Sequence, residues 1–284
     1  MKFALLDISN KLDEPTIELY RAVDNAVHTI GANYLIVGAS ARDLIFLHGF
    51  GLTVVRATGD IDYGIQLEGW GQFEKLKKVL VDEGFKQDKS THRLISPNDM
   101  KLDVVPFGGV EEPGAKIRWP PKHDFEMNVL GFKEALESAI PVQISDAPKL
   151  AIPVASPEGF ALLKLIAWTD REKRTRRKDA QDLIYAAKSF DKVIGDTVYD
   201  DETVLAEHDF DVARVGAHLL GRKIAQISAL DCRSYLSRFF AGDLPLLDVN
   251  TLVDESLENP FSPREENEGL INAMMKGYLE YIEL

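Results

Sequence analysis

Residues 34–67 read YLIVGASARDLIFLHGFGLTVVRATGDIDYGIQL. A short apolar run, Tyr34 to Val37, halts at Gly38 and the small-residue turn Ala39-Ser40. A helical pattern follows from about residue 41 to residue 48, and the glycine-bearing segment 48–51 breaks it. A second run then opens with Asp60 and Asp62. Alternate residues of a strand share a face, so both carboxylates point the same way, with Gly64 and Gln66 beside them. Ile61, Tyr63, Ile65 and Leu67 form the opposite row, facing a core. Two adjacent like charges repel, and the usual resolution is a bound divalent cation.

On the N-terminal side, Ile17, Tyr20, Val23, Val27 and Ile30 recur at helical spacing, with Pro15 in the first turn and Gly31 at the close. On the C-terminal side, Phe73, Leu76, Val79 and Leu80 predict the buried face of a helix over 71–82. Short strands are expected near 85–88 and 92–95, with a turn at Ser96-Pro97-Asn98-Asp99. In the alternating run 101–107, Asp103 faces away from Leu102 and Val104. The Gly- and Pro-rich segment 108–123 reads as a loop, with Trp119-Pro120-Pro121 able to cover a nucleotide base. A short helix at 132–138 and a strand pair at 142–144 and 150–154 complete a mixed α/β sheet flanked by helices. Ser156-Pro157-Glu158 starts a helix reaching about residue 169. The basic run 171–178 reads as a solvated loop before a helix over 179–190. Further helical pieces are expected near 201–207, 211–229, 232–240 and 264–282. The domains implied are 1–155, α/β, and 156–284, helical.

The chain has 284 residues and a formal charge of −13, so its surface as a whole does not invite a polyanion. The run 171–178, with six basic residues, is the anion-attracting exception and could grip a triphosphate or an RNA end. A single cysteine, Cys232, excludes an internal disulfide framework and a cysteine metal cluster. The six histidines show no HxxxH or HExxH spacing, so none is assigned to zinc. No stretch approaches about eighteen uninterrupted apolar residues, and a cytoplasmic chain with no membrane contact is expected.

Neither GxxxxGK[ST] nor GxGxxG is present. A small turn before a helix can still offer backbone N–H groups and a hydroxyl to an anion. Asp103, opening another strand-like run, is a third carboxylate for the Asp60–Asp62 pair. Three acids on one edge suit two Mg²⁺ ions roughly 3.5–4 Å apart, as used for in-line phosphoryl displacement.

The set Gly38-Ala39-Ser40, Asp60-Ile61-Asp62 and Asp103 resembles the minimal nucleotidyltransferase superfamily, with its small turn, its [DE]x[DE] pair and its third acid on a later strand. Within it, Arg56-Ala57-Thr58-Gly59-Asp60 is similar to the RxTxDhD form of the AbiEii/AbiGii-type toxin nucleotidyltransferases. So is the later pattern from Leu163-Lys164-Leu165 through Trp168 and Arg171 to Lys178-Asp179 and Asp182-Leu183, the most specific feature of the chain. The resemblance covers roughly residues 30–190. It implies a nucleotidyltransferase fold and transfer of NMP from an NTP such as ATP to an acceptor hydroxyl. Asp60, Asp62 and Asp103 would hold Mg²⁺, with Mn²⁺ the alternative ion, and Asp103 would help deprotonate the acceptor. Gly38, Ser40, Arg56 and Thr58 would bind nucleotide, Lys164 would reach the triphosphate and Asp182 would orient Lys164 or a neighbouring group. The acceptor is left open between a tRNA 3′ end, a protein and a small molecule, and a cognate antitoxin is an implied partner. The competing reading is a catalytically silent nucleotide-sensing or protein-binding module on the same fold.

Overall fold

The computed structural model describes residues 5–54, 59–121, 125–244, 247–257 and 263–283. The chain divides into two compact units, Met1–Ser156 and Pro157–Leu284.

The first unit is built on an eight-stranded mixed sheet. Its strands are β1 (Leu6–Asp7), β2 (Asn33–Val37), β3 (Asp60–Leu67), β4 (Lys86–Gln87), β5 (Arg93–Ile95), β6 (Lys101–Gly108), β9 (Ile140–Asp146) and β10 (Lys149–Val154). A separate ribbon pairs β7 (Lys116–Arg118) with β8 (Glu126–Asn128). The order across the large sheet is β1-β9-β10-β2-β3-β6-β5-β4. β3 lies antiparallel to β2 and parallel to β6, while β5 returns antiparallel to β6. A parallel neighbour needs a crossover. The chain between β3 and β6 supplies it with α3 (Trp70–Asp82) and the β4–β5 pair.

The two-residue period of β3 shows in its burial only in part, since Ile61 on the core face is half-buried and Gly64 on the opposite face is buried. Tyr63, Ile65 and Leu67 are buried. Tyr63 packs between Tyr34 and Tyr20, the latter on helix α1 (Glu14–Thr29), with ring centroids 5.6 and 6.3 Å away. The opposite face carries Asp60 and Asp62, and its far end is covered by helix α4 (Phe132–Glu137). There Phe132 meets Phe107, and a Cβ on Gly64 would press within 2.8 Å of both Phe132 and Leu35. Helix α4 thus packs on one end of that face, away from the acids.

After β2 the chain forms α2 (Gly38–Arg42), which runs on as a π-helical segment, Asp43–Gly49, burying Leu44, Ile45 and Phe46. The part of the expected loop within the described residues, 108–121, is more ordered than its composition suggests, because it contains β7. Three residues are too few to show a period. They are fixed by ion pairs of Lys116 and Arg118 with Glu126 and by the buried Ile117. On α3 the half-buried Val79 gives way to Lys77, whose ammonium lies over the Phe73 ring.

The second unit is helical. Its elements are α5 (Pro157–Asp170), α6 (Lys173–Ile194), α7 (Glu202–Glu207), α8 (Val212–Ile227), α9 (Leu230–Phe240), α10 (Val249–Ser256) and α11 (Arg264–Glu283). Two features depart from the sequence reading. The basic run is helical from Lys173 onward rather than a loop. Its long unbranched side chains are good helix formers. Arg176 also docks on α10, its Nε and Nη2 each 2.8 Å from the Glu255 carboxylate. Helix α10 itself was not expected. It is capped by Asp248, which accepts from the Thr251 N–H at 2.7 Å. Helices α8 and α11 touch backbone to backbone, since a Cβ on Gly221 or Gly277 would collide with the carbonyl of Met274 or His218. No helix among the described residues is long and apolar enough to cross a membrane.

Candidate functional site

The strand register brings the acids of the first unit together. Asp62 stands directly opposite Asp103 in the parallel β3–β6 pair, and opposite Val37, the last residue of β2, on its other side. Register partners share a face, and neighbouring strands run about 4.8 Å apart. Asp60, two residues before Asp62, is on the same face. The three carboxylates therefore line one edge of the sheet surface, at the end that α4 leaves uncovered.

A guanidinium is set among them. Arg93 is the register partner of Asp103 across the β5–β6 pair. Its Nε donates to Asp103 Oδ1 at 2.6 Å and its Nη2 to Oδ2 at 2.5 Å, a fork-on-fork arrangement. The same Nη2 reaches Asp60 Oδ2 at 3.2 Å. Hydrogen bonding to Asp103 raises the pKa of Arg93, so this positive charge is permanent. Asp103 is the deep member, 9% exposed, and Asp60 the outer one. Sequence reading had no place for Arg93 in the site.

Gly38 lies beside Asp62 at a φ of 63°, a region that favours glycine. A Cβ there would collide with Asp62 Oδ2. The turn is bare because the carboxylate needs the space. Ser40 is buried, and its hydroxyl donates to the Asp60 carbonyl at 3.1 Å, tying the start of α2 to the start of β3. Next to it the buried Arg42 grips Asp43 through Nε at 2.9 Å and Nη2 at 2.7 Å. Arg56 and Thr58 lie outside the described residues. Trp119 is turned inward, packed on Trp70, Phe73 and His92 with ring centroids 5.6–5.7 Å away.

In the second unit Lys164 is held by two buried carboxylates. Its Nζ is 2.7 Å from Asp182 Oδ2 and 3.1 Å from Asp179 Oδ1, and lies over the Phe160 ring. Arg171 adds contacts of 3.0 and 2.8 Å to Asp179. Asp179 is a second partner that sequence reading did not assign. Arg176 is committed to Glu255, which also accepts from the buried Trp168 indole at 2.8 Å. Much of the basic run is thus spent on holding α5, α6 and α10 together.

The model of the nucleotidyl transferase AbiEii toxin, a type IV toxin–antitoxin system, matches residues 46–265. No curated protein matches the sequence. Several solved structures are distantly similar. ANT(2")-Ia in complex with adenylyl-2"-tobramycin shares 13% identity over 79% of this chain and 98% of its own, with a TM-score of 0.37. An antigenic nucleotidyltransferase-like protein from Paracoccidioides brasiliensis shares 17% over 62% and 77%, with a TM-score of 0.37. The Thermotoga maritima CCA-adding enzyme complexed with tRNA shares 12% over 97% and 84%, with a TM-score of 0.27. Likenesses this distant say nothing about substrate.

Proposed function

The chain belongs to the AbiEii nucleotidyl transferase toxin family, and on that premise we propose that it transfers the NMP of an NTP to an acceptor hydroxyl, with Asp60, Asp62 and Asp103 as its catalytic edge. The observation that carries this reading is the register of Asp62 against Asp103, with Asp60 on the same face.

The three acids fit a divalent cation. They offer hard carboxylate oxygens on one face, a neighbouring turn cleared of side chain at Gly38, and an Arg93 guanidinium already meeting part of the demand for positive charge. Mg²⁺, with Mn²⁺ the alternative, would when bound supply charge neutralisation to the transferring phosphoryl group. The chain's own residues do the rest. The acceptor oxygen bonds to the α-phosphorus as the bond from that phosphorus to the pyrophosphate oxygen breaks, and pyrophosphate leaves. The hydroxyl proton passes to Asp103, and Arg93 releases one of its two contacts to Asp103 so that an oxygen is available. Ser40 keeps the turn and β3 in fixed relation, while Gly38 leaves the Asp62 carboxylate its place beside the turn. Lys164, oriented by Asp182, is proposed to bind nucleotide phosphate. A cognate antitoxin protein is the partner this reading expects.

Incubation with each labelled NTP and total cell extract tests the proposal. The expected result is label in a macromolecular or small-molecule fraction, pyrophosphate in solution, and neither with Asp60→Asn/Asp62→Asn. Nucleotide binding with no pyrophosphate under any acceptor would overturn it in favour of the silent module.

A further inference from the structure

A cluster in the second unit has no part in the reading above. Glu207 and His208 end α7, and His218 lies in the middle of α8. One side-chain ligand atom from each comes within 4.8 Å of the other two. The two imidazoles are closest, with His208 Nε2 3.0 Å from His218 Nδ1. His218 is fully buried. Its other nitrogen, Nε2, faces Glu280 of α11 at 3.2 Å but makes no well-directed hydrogen bond. Arg222 and Lys276 in turn hold Glu280.

We propose that Glu207, His208 and His218 bind a divalent transition-metal ion of the zinc class. Two imidazoles and one carboxylate are a recognised zinc ligand set, with a fourth position left to water. Zinc–ligand bonds of about 2.0–2.1 Å put neighbouring tetrahedral ligands roughly 3.4 Å apart. The two rings are already near that separation. Glu207 is exposed, and its carboxylate closes the remaining gap by side-chain rotation. Its partner in this structure is Lys276, 3.0 Å away and itself 45% exposed, so it can swing clear.

The surroundings match a metal-bound histidine. An imidazole ligating through one nitrogen commonly donates its other N–H to a carboxylate, which fixes the tautomer. Glu280 stands at that nitrogen of His218. Binding through the two facing nitrogens moves the proton they now share to an outer ring nitrogen, so that both rings ligate as neutral imidazoles. The backbone is also shaped to deliver His208. Asp209 and Phe210, the next two residues, hold φ of 52° and 60°, an uncommon pair of left-handed non-glycine residues that turns the chain back toward α8. His208 and His218 lie on different helices, so no local spacing pattern could have shown the site.

The test is titration of the full-length, chelator-treated protein with Co²⁺, read by visible absorption. Saturation at one equivalent with the intense bands of tetrahedral Co²⁺ is expected, and Zn²⁺ should displace the signal. His208→Gln, at a half-buried position, should abolish it. Asp60→Asn/Asp62→Asn should retain it, which separates this ion from any at the acid edge. Glu280→Gln should weaken binding roughly 10–100-fold. Where His208→Gln does not fold, Glu207→Gln on the surface takes its place, with the same loss of tetrahedral absorption expected. Absence of the bands in the wild type, or bands unchanged in His208→Gln and Glu207→Gln, overturns the assignment and leaves the rings as a hydrogen-bonded pair.

Discussion

Arg93 holds Asp103 by both oxygens, Nε to Oδ1 and Nη2 to Oδ2. One guanidinium thus serves a deep carboxylate that already faces Asp62 across the sheet. Arg93→Ala removes charged hydrogen bonds to a buried acid and should cost about 1.5–3 kcal/mol of stability. It should also free the acids to take up a cation. The rise in melting temperature on adding Mg²⁺ is therefore expected to be larger in Arg93→Ala than in the wild type. Equal shifts would mean that Arg93 and the ion do not compete.

Asp62→Asn and Asp103→Asn, made singly, should each lower NMP transfer about 10²–10³-fold or more, since each removes negative charge from the edge proposed to organise the reaction. Circular dichroism should stay native. Asp62→Asn in particular relieves repulsion, so its melting point is expected to hold or rise. Retention of near-wild-type transfer would refute the assignment.

Gly38→Ala should act twice. It forces an alanine into a left-handed conformation, costing about 1–2 kcal/mol, and it drives Asp62 Oδ2 off its position. Urea melts should show the first effect, and a fall in turnover beyond that lost stability should show the second. Gly31→Ala is the control. It shares the positive φ of 69° but has open space around it, so it should lose stability and keep turnover.

Lys164→Met leaves Asp179 and Asp182 buried with their ammonium partner gone, and should destabilise the chain by about 3–5 kcal/mol. Adding Asp182→Asn to that variant should recover part of the loss, because one stranded charge is removed with its partner. Denaturant titration of the wild type, the two single variants Lys164→Met and Asp182→Asn, and the double variant measures this coupling. Strict additivity would show that the contact carries no energy of its own.

Much of the acid edge was legible in the chain. The alternation of residues 60–67 gave the face of Asp60 and Asp62, and the run 101–107 gave that of Asp103. Arg93 could have been found by counting. A hairpin closed over Ser96–Met100 with Ile95 opposite Lys101 places Arg93 opposite Asp103. Other features had no local signal. The α10 helix depends on Arg176 and Trp168 converging on Glu255, residues about eighty apart. The inward turn of Trp119 depends on an aromatic nest drawn from α3 and His92. The pairing of β3 with β6, which sets Asp62 opposite Asp103, had no local signal either and comes from the structure.

Arg93 and Asp103 belong to one hairpin, ten residues apart. The countercharge for the deepest acid is therefore delivered by the same short loop closure that forms the strand pair. A newly made chain can bury Asp103 before any ion reaches it, so folding of the first unit need not wait on the cell's supply of divalent cations. On the proposed reading, assembly and ion binding would be separate events, and folded molecules would persist when such ions are scarce.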